Sequence, residues 1–261
     1  MIVNSFSGKI PIELGNLADL EYLDVGGNSL SGTIPAHLGN LSKLIVLGLG
    51  NGFLSGNLPA ELGKLINLQY LDVSNNSLSG NIPSYIGAMV KLVDLSLGIN
   101  KFFGPLPLEI GNLVNLVNLY SPSYLLRGPI PKEIGNMRSL EKLDLSNNPL
   151  HSPIPNSIGN LQNLTILNLV NVEINGSIPA ELGNCRNLRT VVLTFNSLTG
   201  SLPDTLADLS LFSFSAEQNQ LIATLPSWLG FWEGGRKLTT FYLLHIILVA
   251  TFLQSLEIAP R

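Results

Sequence analysis

The chain has 261 residues, 12% of them charged and 45% hydrophobic, with a formal net charge of −4. So sparse and acidic a charge lacks the basic stripe that a nucleic-acid binder needs. Length alone would suggest one or two domains, and the single cysteine cannot report the redox compartment.

Residues 1–10 read as a partial repeat. From there a proline recurs at Pro11, Pro35, Pro59, Pro83, Pro107, Pro131, Pro155, Pro179, Pro203 and Pro226. The first eight intervals are 24 residues and the last is 23, so residues 11–229 form an array of one repeated unit. The unit reads L-x-x-L-x-x-L-x-L-x-x-N-x-L-x-G-x-I-P-x-x-L-G-N. Its apolar columns are Leu17, Leu20, Leu23, Val25, Leu30 and Ile34, refilled later by Leu65, Leu68, Leu71, Val73, Leu78 and Ile82. The two-residue step from Leu23 to Val25 is strand periodicity with one buried face. The segment P-x-x-L-G-N-L is too short for an α-helix, and it predicts a turn or one 3₁₀ turn on the outer face. No unit can bury its apolar face alone, so nine to ten units stack into a parallel β-solenoid, strands about 4.8 Å apart on the inner curve.

Two further columns are structural. Asn28, Asn76, Asn100, Asn148, Asn196 and Asn219, with Asn4 in the partial copy, point inward, where an amide can satisfy the backbone of the turn. Gly52, Tyr124 and Val172 break that column. Asn147, one residue before Asn148, reads as outward-facing, so truncating it should cost under about 0.5 kcal/mol. The column Gly8, Gly32, Gly56, Gly80, Gly104, Gly128, Gly176 and Gly200 suits positive φ or close backbone approach, with Ser152 and Ala223 departing from it. Cys185 aligns with Leu17, Leu41, Leu65, Met89, Leu113, Met137 and Leu161, which makes it a small core hydrophobe. Ser121–Tyr124 interrupts the pattern: Ser121 replaces a core aliphatic, Pro122 removes a strand donor and Tyr124 replaces the Asn. It reads either as drift or as a bulge presenting Tyr120 and Tyr124.

After Gly230 the beat stops, and residues 230–261 form a non-repeat tail. Leu238–Leu256 runs 19 residues without a formal charge, long enough for a membrane span. His245 within it, and Arg236 and Lys237 on the repeat side, weaken that reading.

The motif L-x-G-x-I-P-x-x-L-G-N-L resembles the plant-specific leucine-rich repeat over about residues 4–229. The resemblance implies a leucine-rich-repeat solenoid, a horseshoe or right-handed superhelix. Its parallel β-sheet would line the concave face, with turns and short 3₁₀ helices on the convex face. It further implies the ectodomain of a receptor-like kinase or receptor-like protein, or a secreted inhibitor of pathogen enzymes. Residues 116–229, with GPIPKEIGN, LDLSNNPL, LTILNLV, ELGNCRNLRTVVLTFNSLTGSLP, FSAEQNQL and LPSWLG, resemble more closely the excess-microsporocytes receptor kinases of plants. That implies a non-catalytic partner for a peptide or small secreted cysteine-rich protein, a possible co-receptor leucine-rich-repeat kinase, and a place on the extracellular face of the cell membrane or in the apoplast. Such ectodomains open on a signal peptide and a paired-cysteine cap. This chain starts in mid-repeat at Asn4 with neither, and it shows no kinase signature, so it reads as a fragment or truncated product.

Candidate binding residues stand in two outward-facing strand columns. One runs Tyr22, Val46, Tyr70, Asp94, Asn118, Lys142, Ile166 and Thr190. The next runs Asp24, Gly48, Asp72, Ser96, Tyr120, Asp144, Asn168 and Val192. Aromatics, carboxylates and apolar groups together make interface hot spots. Ile166, Val170, Val192 and Phe195 are expected to cluster as an exposed apolar patch. Asp24 and Asp72 would lie about 9.6 Å apart by strand spacing, against about 5–5.5 Å or 6.5–9.5 Å for a glycosidase pair. Asp72 and Asp94 would be nearer, but an open sheet gives no pocket to raise one pKa, so no catalytic residue and no cofactor is assigned. His37, His151 and His245 are scattered and make no metal cluster. Sequons at Asn40, Asn75, Asn163 and Asn175 are candidate glycosylation sites.

Overall fold

The computed structural model describes residues 4–222 and the backbone of the strand Thr240–Tyr242. Each repeat makes one circuit around a common core. Its first leg is a three-residue strand with the central side chain buried, as in Tyr22–Asp24, where Leu23 faces inward. Nine such strands, from Tyr22–Asp24 through Lys142–Asp144 to Ser213–Ser215, pair in parallel with Thr240–Tyr242 as a tenth. Residues 24 apart stand opposite one another over most of this sheet, as Tyr22 does Val46 and Asn118 does Lys142.

The return leg is a five-residue 3₁₀ helix, from Ile12–Asn16 to Asp204–Asp208, nine of them among the described residues. Each follows a proline in extended conformation, such as Pro35 at φ −67 and ψ 131, where the ring fixes φ and the missing N–H costs no helical bond. The glycine inside the first eight of these helices, replaced by Ala207 in the ninth, lets neighbouring repeats stack. A Cβ on Gly39 would stand 2.3 Å from the Glu61 carbonyl oxygen, and one on Gly111 2.4 Å from that of Glu133. Between the two legs lies one continuous apolar core, in which Leu44, Leu68, Leu92, Leu116, Leu140, Leu164 and Leu188 form a fully buried file. Cys185 belongs to it: its thiol donates to the Ile158 carbonyl at 3.2 Å, and burial pushes its pKa up to about 11.

A second strand per repeat was not expected. Ser7–Lys9, Ser29–Thr33, Phe53–Gly56, Ser77–Asn81 and Lys101–Phe103 form a lateral five-stranded sheet, and Asn175–Ser177, Ser197–Gly200 and Gln220–Leu221 a three-stranded one. Their glycines, such as Gly80 at φ 85, occupy the left-handed region that the glycine column implied. Between the two sheets only the Gly104–Leu126 bridge persists. Pro105, Pro129, Pro149 and Pro153 stand in that stretch and cannot donate to a ladder.

The asparagine column does what its register required except at Asn4, which is exposed because no preceding repeat among the described residues covers it. The Asn148 amide donates to the carbonyls of Ser121, Leu145 and Ser146 and accepts the Leu126 N–H, so one side chain ties two repeats together. Asn76, Asn100, Asn196 and Asn219 repeat this. Tyr124, which breaks this column, is 71% exposed, and the buried Ser123 hydroxyl donates to the Asn100 carbonyl. A phenol cannot fit where an amide fits, so the chain turns Tyr124 out. Ser152, in place of the glycine, is buried and accepts the Ile130 N–H.

Candidate ligand-binding face

The two outward columns lie side by side on the ten-stranded sheet, as their spacing required. A third column follows in the turn beyond: Gly26, Gly50, Ser74, Gly98, Pro122, Ser146, Val170, Thr194 and Glu217.

At the start of the sheet the floor is glycine. Gly48 and Gly50 are buried beneath carboxylates: a Cβ on Gly48 would meet Asp24 Oδ1 at 2.5 Å, and one on Gly50 would meet Asp72 Oδ2 at 2.6 Å. Asp24 Oδ1 also accepts the Gly26 N–H at 3.0 Å, and Asp72 Oδ1 accepts both the N–H and the hydroxyl of Ser74. Tyr22 and Tyr70 stand in the adjoining column, 63% and 43% exposed, with Val46 between them in register.

Further along, polar groups are tied across strands. The Asn118 amide donates to Asp94 at 2.6 Å, Asn168 to Asp144 at 3.0 Å, and the Thr194 hydroxyl to Glu217 at 2.7 Å. Asn118 Oδ1 is the buried side-chain oxygen left without a partner among the described residues. Tyr120 and Lys142 are half-buried on the same face. Pro122 presses on Gly98, where a Cβ would stand 2.5 Å from its ring, and its carbonyl accepts the Ile99 N–H at 2.6 Å, so the interrupted repeat stays in the ladder.

The residues of the expected apolar patch stand on two adjacent repeats, in more than one column. Ile166 and Val192 occupy different columns on adjacent strands, Val170 lies in the turn, and Phe195 sits at the rim, 57% exposed and at φ 58. Phe195 shares its column with Gly27, Asn51, Asn75, Ile99, Asn147, Asn171 and Gln218, all left-handed. Asn147 at φ 58 is therefore not a neutral outward residue, and its side-chain oxygen also accepts the Asn171 amide. Sequence reasoning missed the glycine floor, although the run Gly26, Gly48, Gly50 was readable.

The ion pairs Lys43–Asp19, His151–Glu173 and Arg186–Asp208 all lie outside these columns. The Lys43 ammonium lowers the Asp19 pKa, and Asp19 raises that of Lys43. No group of three or more His, Cys, Asp or Glu able to hold a metal occurs among the described residues. Asn40, Asn75, Asn163 and Asn175 are all exposed. No helix among the described residues is long and apolar enough to cross a membrane. Within Leu238–Leu256 only the strand Thr240–Tyr242 is described; Pro226, Ala223, His245 and the rest of the tail lie outside the described residues.

Residues 19–41, 67–89, 139–161 and 187–209 match the family model Leucine Rich Repeat. Among curated proteins none matches the chain by sequence. Solved structures do. The plant peptide hormone receptor RGFR1, in complex with RGF2, is 34% identical over 92% of this chain and 42% of its own, with a TM-score of 0.84. The Arabidopsis receptor kinase HAESA, with the peptide hormone IDA and the co-receptor SERK1, is 32% identical over 94% of this chain and 41% of its own, at a TM-score of 0.88. The LRR ectodomain of the Arabidopsis membrane receptor kinase GASSHO1, in complex with CASPARIAN STRIP INTEGRITY FACTOR 2, is 32% identical over 94% and 32%, at 0.75. The chain thus spans less than half of each of these structures. Its fold is a leucine-rich-repeat solenoid, and its structural neighbours are ectodomains of plant leucine-rich-repeat receptor kinases.

Proposed function

We propose that this chain is a non-catalytic recognition module of a plant leucine-rich-repeat receptor, acting outside the cell at the plasma membrane. Its partner is a peptide or small secreted protein, lying across the ten-stranded face. The observation that supports this reading most is the face itself. Successive strands set side chains about 4.8 Å apart, so one extended ligand touches several repeats, and aromatic, charged and apolar groups alternate along it. Tyr22, Asp24, Tyr70, Asp72, Asp94, Tyr120, Lys142, Asp144, Ile166, Asn168 and Val192 supply the contacts, with Phe195 at the rim. The solved neighbours with peptide ligands and a co-receptor support a peptide partner and a second leucine-rich-repeat kinase. The resemblance of residues 116–229 to the excess-microsporocytes receptors favours a cysteine-rich secreted protein as that partner. Asn40, Asn75, Asn163 and Asn175, being exposed, are the glycan sites. Calorimetric titration with a secreted cysteine-rich protein tests the reading. Binding lost on Tyr120→Ala but kept on Lys64→Ala and Lys132→Ala supports it; binding that ignores the concave change and falls with the convex ones overturns it.

A further inference from the structure

Asp24 and Asp72 come from repeats on either side of Gly48 and Gly50, yet both carboxylates rest on that intervening repeat. Asp24 reaches forward over Gly48 and Asp72 reaches back over Gly50. Among the described residues neither has a cationic partner. The nearest basic residue in the two strand columns, Lys142, is three strands beyond Asp72, about 14 Å away by strand spacing. Two carboxylates facing one spot without a counter-charge repel one another, and the spot lacks side chains that would fill it. The exposed tyrosines bracket the same repeat from the next column. They are two strands apart with Val46 between them, so their rings flank the glycine floor from the side rather than standing over it.

We propose that Tyr22, Asp24, Gly48, Gly50, Tyr70 and Asp72 form a cradle for one arginine side chain of the partner, a deepening that rests on the peptide-binding reading above. A guanidinium is flat, weakly hydrated and forked. It lies on a glycine floor, abuts a phenol ring at its side and gives paired N–H bonds to carboxylates. An ammonium uses the charge but not the plane.

The test uses the whole chain and three neutral-ended pentapeptides, identical except for a central arginine, citrulline or lysine. Amide chemical shifts are followed by NMR. The arginine peptide should move the N–H signals of Gly26, Gly48 and Gly50, and the citrulline peptide should leave them still. Asp24→Asn with Asp72→Asn, which keeps the local hydrogen-bond acceptors, should weaken binding about tenfold or more. Gly48→Ala should also weaken it, because its methyl would crowd the Asp24 side chain from the carboxylate back to Cβ, and an unchanged melting temperature would show the fold intact. Equal binding of the lysine peptide overturns the guanidinium assignment. Shifts confined to Tyr120–Val192 overturn the cradle while leaving the concave-face reading standing. Shifts confined to the 3₁₀ helices overturn both.

Discussion

The two ends of the concave sheet treat their carboxylates differently. In the first three strands Asp24 and Asp72 bend onto glycine and meet no cation among the described residues. From Asp94 onward each carboxylate is held from a neighbouring repeat, by Asn118, Asn168 or Thr194. The strand pairing of this sheet is the same at both ends, so the contrast is set by the outward columns. A carboxylate held from a neighbouring repeat has a diminished appetite for a ligand donor; Asp24 and Asp72, bonded only within their own turns through Oδ1, keep an oxygen available. The early strands therefore offer charge and the later strands offer shape.

The largest expected effect tests whether the later strands are also the more tightly tied. Asn148 is fully buried, whereas Asn76, next to Gly52, is half-buried. Water can replace the lost amide at position 76 but not at position 148. Asn148→Ala should cost about 1–3 kcal/mol and Asn76→Ala about 1 kcal/mol or less. Urea melts decide this, and equal losses would erase the difference between the ends.

A second experiment asks which end carries recognition. Tyr120→Ala or Phe195→Ala should weaken binding of the secreted protein ligand by about 1–2 kcal/mol if shape is what is read there. Those losses should be nearly independent of salt. A contribution from Asp24 and Asp72 should shrink as salt rises, since exposed charges are screened within about 10 Å at 0.1 M. Titrations at low and high salt on each variant separate the two, and a salt-sensitive loss at Tyr120 would contradict the division.

A smaller effect concerns the rim. Asn147→Ala should cost about 1 kcal/mol, because alanine resists the left-handed conformation that asparagine accepts. Asn147→Gly should be nearly neutral, losing only the exposed contact with Asn171. Thermal melts showing both variants equally impaired would mean that the side-chain contact, not the backbone, is what matters.

Much of this fold was legible because each feature is repeated many times. The Leu23 strand, the proline-led 3₁₀ turn, the inward asparagines and the left-handed glycines each rest on several copies, so a local exception could not hide them. The lateral sheets were missed because their S-L-S-G alternation is short and ends on a left-handed glycine. For Ser121–Tyr124 the sequence left drift and a bulge presenting Tyr124 both open, because counting by 24 assumes a rigid register and could not show Ser123 taking over the polar role. The site was less legible for a different reason. Outward residues vary without harm to the fold, and whether an aspartate is held or open depends on the residue one repeat away.

Ile99 gives the finest test of how the rim relates to the face. It lies in the left-handed column at φ 54, 61% exposed, where neighbouring repeats place Asn75 and Asn147. A β-branched residue there is strained, and its exposure returns little hydrophobic stabilisation. Ile99→Asn should therefore raise stability by about 0.5–1 kcal/mol, read as a higher urea midpoint with an unchanged slope. A lower midpoint would show that Ile99 packs better than its exposure implies. Paired with a titration, the same variant shows what the strain is for. If the apolar rim beside Tyr120 and Tyr124 belongs to the recognition surface, the stabilised variant should bind its ligand less tightly. Stability gained with affinity intact would place the ligand's edge inside the strand columns and leave the rim outside it.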